Sequence, residues 1–147
     1  EQLTDELLSE DENKYHAFLI LDVDCFKQIN DIYGHAVGDI VLQKFGKLLK
    51  GTFREGDILG RIGGDEFGVI MKNIQTKDIA MKKAEELLAK TQAYKIDELK
   101  GNNISISIGI STAPQDGDCY MDLYKRADQA LYQAKRSGKA RVCNYFS

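Results

Sequence analysis

Two pairs of carboxylates in this chain have the residue types and the spacing to hold a divalent cation. The first pair, Asp22 and Asp24, ends the mostly apolar run 15–23. Residues i and i+2 of a strand point to the same side, so both carboxylates would lie together. Because each is desolvated there and the two repel one another, burying them without a cation is costly. This pattern therefore favours a bound metal ion.

The second pair, Asp65 and Glu66, follows two glycines between short apolar runs. This pattern predicts a tight β-hairpin in which Gly63 and Gly64 supply positive φ and let a ligand approach the main chain. An acidic hairpin tip facing water is the alternative for this segment alone. Taken with the first pair, it predicts a two-strand site for Mg²⁺, which keeps open positions for phosphate oxygens. The residues indicate metal-assisted phosphoryl or nucleotidyl chemistry.

The elements that must position these acids follow from hydrophobic periodicity. The run 15–23 has the pattern of a strand buried on both faces. Isoleucines alternate with serines and a glycine over 104–111, which predicts a strand with one face on the core. Apolar residues recur at helical spacing in three segments, 41–49, 80–91 and 123–134. With a closing strand over 141–145, the predicted order is βα, a β-hairpin, α, β, α, β.

The composition is that of an ordinary globular domain. The chain has 147 residues, 43% of them hydrophobic and 29% charged, enough for one domain with its own core. A net charge of −3 gives no reason to expect nucleic acid as a partner. No stretch approaches membrane-spanning length, so we predict a cytoplasmic segment without membrane contact. The cysteines lack metal-ligand spacing and are predicted to be reduced thiols: Cys25, Cys119 and Cys143.

Four motifs, in order along residues 15–145, resemble those of one bacterial family. They are Asp22-x-Asp24-x-Phe26-Lys27-x-x-Asn30-Asp31, Arg61-x-Gly63-Gly64-Asp65-Glu66-Phe67, Ser107-x-Gly109 and Arg126-Ala127-Asp128-x-Ala130-Leu131-Tyr132. Together they resemble the GGDEF domain, the catalytic domain of bacterial diguanylate cyclases. The resemblance implies an α/β (α+β) fold with a central, mostly antiparallel sheet flanked by helices. That ferredoxin-like architecture is akin to the palm of polymerases and nucleotide cyclases.

The domain organisation is expected to be a single GGDEF domain over residues 1–147. The chain opens at Glu1 and lacks the family's N-terminal Asp-x-Leu-Thr-x-Leu-x-Asn-Arg segment. We therefore expect a fragment of a longer signalling protein with an upstream sensory domain, whether or not the full-length protein carries a membrane anchor. Residues 2–13 are predicted to be the end of the helix that follows the missing segment.

The resemblance also implies a metal site and a catalytic set. Asp22, Asp65 and the Val23 carbonyl would bind Mg²⁺ or Mn²⁺, with Glu66 as a catalytic carboxylate beside them. Asp24 would lie in the same region, and its alternative role is to cap the helix that follows.

Guanine recognition and phosphate binding are implied for the substrate GTP. Asn30 and Asp39 match the guanine-reading positions, although Asp39 could instead be a first-turn acid favoured by the helix dipole. The family match assigns the other substrate contacts to Phe26 and Lys27 at a helix N-terminus, and to Gly63 and Gly64 in the hairpin.

Two lysines near the end of the last predicted helix complete the implied phosphate site. Lys135 matches the family's catalytic, phosphate-binding lysine, and the alternative is an ordinary solvated lysine. Lys139 stands where the family has arginine, so it keeps the charge but loses the bidentate fork. Weaker triphosphate binding is the expected consequence.

Arg54 and Asp57 form an Arg-x-x-Asp pattern that matches the family's inhibitory product site. The alternative is a surface ion pair of little energetic value. The resemblance thus implies a diguanylate cyclase that joins two GTP at a site shared by a transient homodimer, with cyclic di-GMP as product and inhibitor. The rival hypotheses are a catalytically silent receptor for GTP or cyclic di-GMP, and a cyclase for another nucleotide pair.

Overall fold

The computed structural model describes residues 14–145 as a five-stranded sheet flanked by four helices. The strands are β1 (Tyr15–Val23), β2 (Ile58–Arg61), β3 (Glu66–Ile74), β4 (Ile106–Ala113) and β5 (Val142–Asn144). The helices are α1 (Phe26–Tyr33), α2 (His35–Thr52), α3 (Asp78–Ala93) and α4 (Tyr120–Arg136), with a 3-10 turn at Asp97–Leu99. The element order agrees with the sequence, and the predicted helix over residues 2–13 lies outside the described residues.

The sheet places the strand that carries the first acid pair at its centre. The strand order is β2-β3-β1-β4-β5, and all neighbours are antiparallel except β4 and β5. Strand β1 is buried along almost its whole length, as its continuous apolar run predicts. The prediction of a mostly antiparallel sheet is confirmed.

Alternate residues of β1 contribute to two separate apolar cores. Leu19 and Leu21 belong to the larger core, which includes buried residues of α2 and α3. Phe18 and Ile20 belong to a smaller core with residues of α4 such as Leu123. Helix α4 therefore covers one face of the sheet, and the other helices cover the opposite face.

Strand β4 differs from its predicted amphipathic form, because it is buried on both faces. Its serine and glycine face lies under α4, where Ser111 Oγ donates to the Leu123 carbonyl at 2.7 Å. A Cβ atom at Gly109 would collide with the backbone of α4 at Ala127 and Leu131. The small residues of β4 therefore mark close helix packing rather than a solvent-facing surface.

The cysteines are free thiols, as predicted, at Cys25, Cys119 and Cys143. Among residues 14–145, no helix combines the length and apolar character needed to cross a membrane.

Candidate functional site

The two predicted acid pairs meet where β1 ends beside the β2–β3 hairpin. Asp22 lies opposite Glu66 in the antiparallel register of β1 and β3. The backbone N–H of Val23 donates to the carbonyl of Asp65 at 3.4 Å. The fold therefore brings together carboxylates that are more than 40 positions apart in the chain.

The glycine turn of the hairpin is closed differently from the prediction. Neither Gly63 nor Gly64 has a positive φ, so that expectation is wrong. Instead Arg61 Nε donates to the Gly64 carbonyl at 2.8 Å, and Ile62 N donates to the Glu66 carbonyl at 2.8 Å. A Cβ at either glycine would meet open space. The turn therefore presents an open main chain to any ligand beside it.

Asp22 is a buried carboxylate whose two oxygens have different surroundings. Its residue surface is only 7% exposed, and Oδ2 accepts a hydrogen bond from Lys135 Nζ. No donor among residues 14–145 reaches Oδ1. Burial raises the pKa of Asp22 to about 7, with Asp65 adding to the rise and Lys135 opposing it. Because two carboxylates both accept, a shared proton or a cation is required to bridge them.

The residues at this point fit a hard divalent cation. Asp22, Asp65 and the Val23 carbonyl carry oxygen atoms of the kind that Mg²⁺ and Mn²⁺ prefer as ligands. The buried Oδ1 atom of Asp22 without a donor is the observation that supports this fit, since a bound cation would satisfy it.

Metal affinity at Asp22 is expected to depend on pH. Since the metal-free carboxyl has a pKa raised to about 7, a cation must displace a proton below that pH. We expect Mn²⁺ affinity to fall about tenfold per pH unit below neutrality and to level off above it. Calorimetric titrations at a series of pH values measure this slope. In Asp22→Asn the titrating carboxyl is absent, so the weaker Mn²⁺ binding that remains should not show the slope. A flat profile for the parent protein would contradict the prediction.

The same shift sets the sign of a stability effect in the metal-free protein. The folded pKa of Asp22 lies above the value of 3.8 for an unperturbed carboxyl, so the folded state binds more protons between the two values. The contribution of Asp22 to stability is therefore fully present below that interval and is lost as the pH rises through it.

Asp24 acts as a brace between three segments. Its Oδ2 accepts from Ser105 Oγ at 2.6 Å and from the backbone N–H of Ala140 at 3.1 Å, and its Oδ1 accepts from Ser107 Oγ at 2.7 Å. The residue that precedes α1 is Cys25, and no side chain caps that helix, so the capping interpretation of Asp24 is wrong. The carboxylate instead joins the end of β1 to β4 and to the segment after α4.

The two predicted phosphate-site lysines both lie at this end of β1. Lys135, in the last turn of α4, donates to Asp22. Burial acts to lower the pKa of Lys135, but the neighbouring carboxylates, Asp22 first among them, outweigh burial and raise it. Lys139 Nζ lies 3.3 Å from Cys25 Sγ, immediately before α1. One ammonium group therefore contacts Asp22 directly, and the second lies beside the residue that precedes α1.

Helix α1 begins at Phe26, directly after the acids of β1. The first N–H groups of a helix, here those of Phe26 and Lys27, have no partner within the helix. They can therefore donate to an anion, as the sequence predicts.

The predicted guanine-reading residues lie on the neighbouring helices α1 and α2. A Cβ at Gly38 would collide with Asn30 Oδ1 and would come within 3.2 Å of the Phe26 ring. Gly38 thus leaves room for the Asn30 side chain, and the next residue, Asp39, is exposed. Because α2 begins at His35 and has no acid in its first turn, the helix-dipole interpretation of Asp39 loses its basis.

Arg54 and Asp57 form a well-defined pair at a distance from this site along the sheet edge. Arg54 Nη2 donates to Asp57 Oδ1 at 2.8 Å, and the Arg54 N–H donates to Asp57 Oδ2 at 2.9 Å. The Asp57 side chain is fully buried, whereas 47% of the Arg54 side chain is exposed. The pair is therefore more than a surface ion pair, since Asp57 orients a guanidinium that still faces solvent.

Tyr124 of α4 is a site residue that sequence reasoning missed. Its hydroxyl donates to Glu66 Oε1 at 3.2 Å. Tyr124 precedes Lys135 by eleven residues on the same helix, which is about three turns and so the same face. The eleven-residue spacing from Lys135 is the sequence signal that could have predicted Tyr124 near the acids.

A central, mostly antiparallel sheet flanked by helices, with carboxylates at the C-terminal end of β1 and at a glycine hairpin, has the palm-like fold of nucleotide cyclases. The chain matches the family model "Diguanylate cyclase, GGDEF domain" over residues 1–141. It belongs to the GGDEF domain family, as its motifs predicted.

Individual relatives agree with this family. Diguanylate cyclase A of Treponema denticola is 40% identical over 127 residues, which are 86% of this chain and 34% of that protein. The chain spans roughly a third of such curated relatives, 34% and 28% in two of them.

Solved structures confirm the fold. The GGDEF domain of TpbB (YfiN) from Pseudomonas aeruginosa has a TM-score of 0.93 and 32% identity, covering 99% of this chain and 92% of that one. The GGDEF domain of DgcB from Caulobacter crescentus, solved in complex with c-di-GMP, has a TM-score of 0.86 and 26% identity. That match covers 97% of this chain and 86% of that one.

Proposed function

We propose that this domain is a diguanylate cyclase that condenses two GTP into cyclic di-GMP and releases two pyrophosphates. The observation that carries the proposal is the convergence of Asp22, Asp65 and Lys135, with one buried Asp22 oxygen lacking any donor from the described residues. A carboxylate pair beside an ammonium group suits a metal–triphosphate complex. Membership of the GGDEF family supports the same reaction.

The metal would be held by Asp22, Asp65 and the Val23 carbonyl. When bound, Mg²⁺ or Mn²⁺ lowers the pKa of a ribose hydroxyl and neutralises charge that develops on the phosphates. Lys135 is close enough to Asp22 to contact the same triphosphate. The open main chain of Gly63 and Gly64 lets the phosphates approach the hairpin without steric conflict.

The remaining phosphate contacts come from the start of α1 and the segment after α4. The free N–H groups of Phe26 and Lys27 donate to phosphate oxygens. Lys139 adds a positive charge beside them, where its contact with Cys25 places it. As a point charge it binds phosphate without the paired hydrogen bonds of an arginine.

Guanine selection is assigned to Asn30 and Asp39. A carboxylate can accept hydrogen bonds from guanine N1–H and from the exocyclic amine, and an amide can serve the remaining polar edge. The absence of a Cβ at Gly38 lets the Asn30 amide lie close to α2. This pairing favours GTP over other nucleoside triphosphates.

The reaction requires two copies of the domain. The 3′-hydroxyl oxygen of each GTP attacks the α-phosphorus of the other, a P–O bond forms, and pyrophosphate leaves with the electrons of the broken bond. Glu66, at the hairpin tip opposite Asp22, is the group assigned to accept the hydroxyl proton. A site shared in this way requires a homodimer, if only a transient one.

Product formation from GTP and Mg²⁺ over a range of protein concentrations tests the proposal. We expect cyclic di-GMP at a rate that rises faster than linearly with protein concentration, because the active species is a dimer. GTP or cyclic di-GMP binding without any product would overturn the cyclase proposal and favour the silent receptor. The silent-receptor hypothesis rests on Lys139, which replaces the family arginine and lacks its bidentate hydrogen bonds.

Arg54→Ala is expected to relieve product inhibition without lowering the initial rate. The half-exposed guanidinium of Arg54 is oriented by buried Asp57, so it can donate to a phosphate and stack on a base. Its removal should raise the inhibitory concentration of cyclic di-GMP at least about tenfold. Inhibition curves compare this variant with Arg126→Ala, which removes an arginine stacked on Tyr145 instead. Coincident curves for Arg54→Ala and the parent would exclude an inhibitory site at Arg54.

A further inference from the structure

We propose that Tyr124 is a positioning residue for Glu66 and holds its carboxylate in the orientation used for phosphoryl transfer. The inference rests on the proposed cyclase function for its catalytic consequence. The contact itself depends only on the geometry, in which the Tyr124 hydroxyl lies 3.2 Å from Glu66 Oε1.

The hydroxyl of Tyr124 is held in place by the packing of its ring. The ring centroid lies 6.1 Å from that of Phe18 with an interplanar angle of 65°, and 6.0 Å from that of Tyr120. The edge-to-face contact with Phe18 and the tilted contact with Tyr120 pack the half-buried ring against the smaller apolar core. These contacts restrain the donor without help from a ligand.

Glu66, in contrast, is fixed by the fold only along its backbone. Its carbonyl accepts from Ile62 N and its Cα is paired with Asp22 across β1 and β3. The half-buried side chain still has the rotamer freedom of a glutamate unless a donor restrains it. Tyr124 supplies that donor to Oε1, which leaves Oε2 available to a reacting group.

Tyr124 remains a donor at ordinary pH. Burial first, and the nearby Glu66 carboxylate in the same direction, raise its pKa to about 12. The phenol therefore keeps its proton near neutral pH, where it can donate to Glu66. The contact is a charge-assisted hydrogen bond, a type stronger than one between neutral groups.

The kinetic consequence is a change in kcat rather than in KM. The assigned guanine and phosphate contacts lie on α1, α2, the two lysines and the main chain of Gly63 and Gly64, so GTP binding does not require an ordered Glu66 side chain. Tyr124→Phe keeps the ring and removes only the hydroxyl. We expect kcat to fall about tenfold and KM for GTP to stay within about twofold. Tyr132→Phe is the matched control, because it makes the same change on the same helix at a side chain that is 62% exposed.

A double-mutant cycle tests whether Tyr124 acts through Glu66. In a Glu66→Gln background, Tyr124→Phe should produce little further loss of kcat, since the orientation of a charged acceptor no longer matters. Full additivity of the two losses would overturn the positioning role. Thermal melting of each variant shows whether a loss of fold contributes to the change.

A measurement that needs no turnover separates this inference from the proposed function. In protein labelled at tyrosine ¹³Cζ, the Tyr124 signal is the one absent from Tyr124→Phe, and Glu66→Gln should shift it while leaving the Tyr132 signal in place. An unmoved Tyr124 signal overturns the contact even in a protein that makes cyclic di-GMP. A shifted signal in a protein that forms no product supports the positioning contact and overturns the cyclase function.

Discussion

Asp65→Ala is expected to reduce GTP turnover by at least about a thousandfold while the domain stays folded. Asp65 is one of the two carboxylates assigned to the metal, and its neighbour Asp22 cannot bind a divalent ion as well alone. The side chain of Asp65 also adds to the raised pKa of Asp22, so its loss removes an unfavourable interaction. The variant should therefore melt at the same temperature as the metal-free parent or higher. Such a change loses activity and gains stability, as is common for residues at functional sites.

Metal binding and product formation together measure this effect. The matched control is Asp122→Ala, an exposed acid in a group with Asp118 and Cys119 whose ligand atoms fall within 4.8 Å of one another. That control should lose neither Mn²⁺ binding at the site nor cyclic di-GMP formation. Persistent metal-dependent product from Asp65→Ala would exclude Asp65 from the metal site.

Local patterns in the sequence predict most of the acid site. Strand β1 is recognisable because its apolar run is continuous, and the i, i+2 spacing of Asp22 and Asp24 fixes their common side. The hairpin follows from glycines between apolar runs. In each case the signal and the structure lie within a few residues of one another, so tertiary packing does not need to be known.

The side-chain partners of these acids could not be predicted in the same way. Asp24 accepts from serines that are 81 and 83 residues further along the chain and from an N–H that is 116 residues away. The Tyr124–Glu66 contact joins residues 58 positions apart. Such contacts depend on how α4 and β4 are placed in three dimensions, and sequence periodicity carries no information on that placement.

The error over β4 has the same origin. Alternating isoleucine and serine is typical of a strand with one solvent-exposed face. The same pattern also occurs where a closely packed helix covers the serine face, so it cannot distinguish the two situations. Ser111 is satisfied by the Leu123 carbonyl of α4, a partner that replaces water. Small residues on a strand face, Gly109 above all, indicate either situation until the covering element is known.

Gly109→Ala is expected to remove both stability and activity, in contrast to Asp65→Ala. A Cβ at this position would overlap the carbonyl of Ala127 and the N–H of Leu131, which belong to rigid helix backbone. Helix α4 would have to move away from the sheet, at a cost of about 3 kcal/mol in the free energy of unfolding. Lys135 would then move away from Asp22.

Denaturant unfolding and cyclase assays under stabilising conditions measure the two losses of Gly109→Ala separately. Gly46→Ala is the matched control, because its Cβ would meet only a Phe67 ring carbon at 4.0 Å and alanine favours a helix by about 1 kcal/mol over glycine. An unchanged midpoint for Gly109→Ala would mean that α4 is not tightly packed on β4. Since α4 carries both Lys135 and Tyr124, variants that displace it should impair the acid site at both residues, whereas Asp65→Ala changes the acid site and leaves α4 in place.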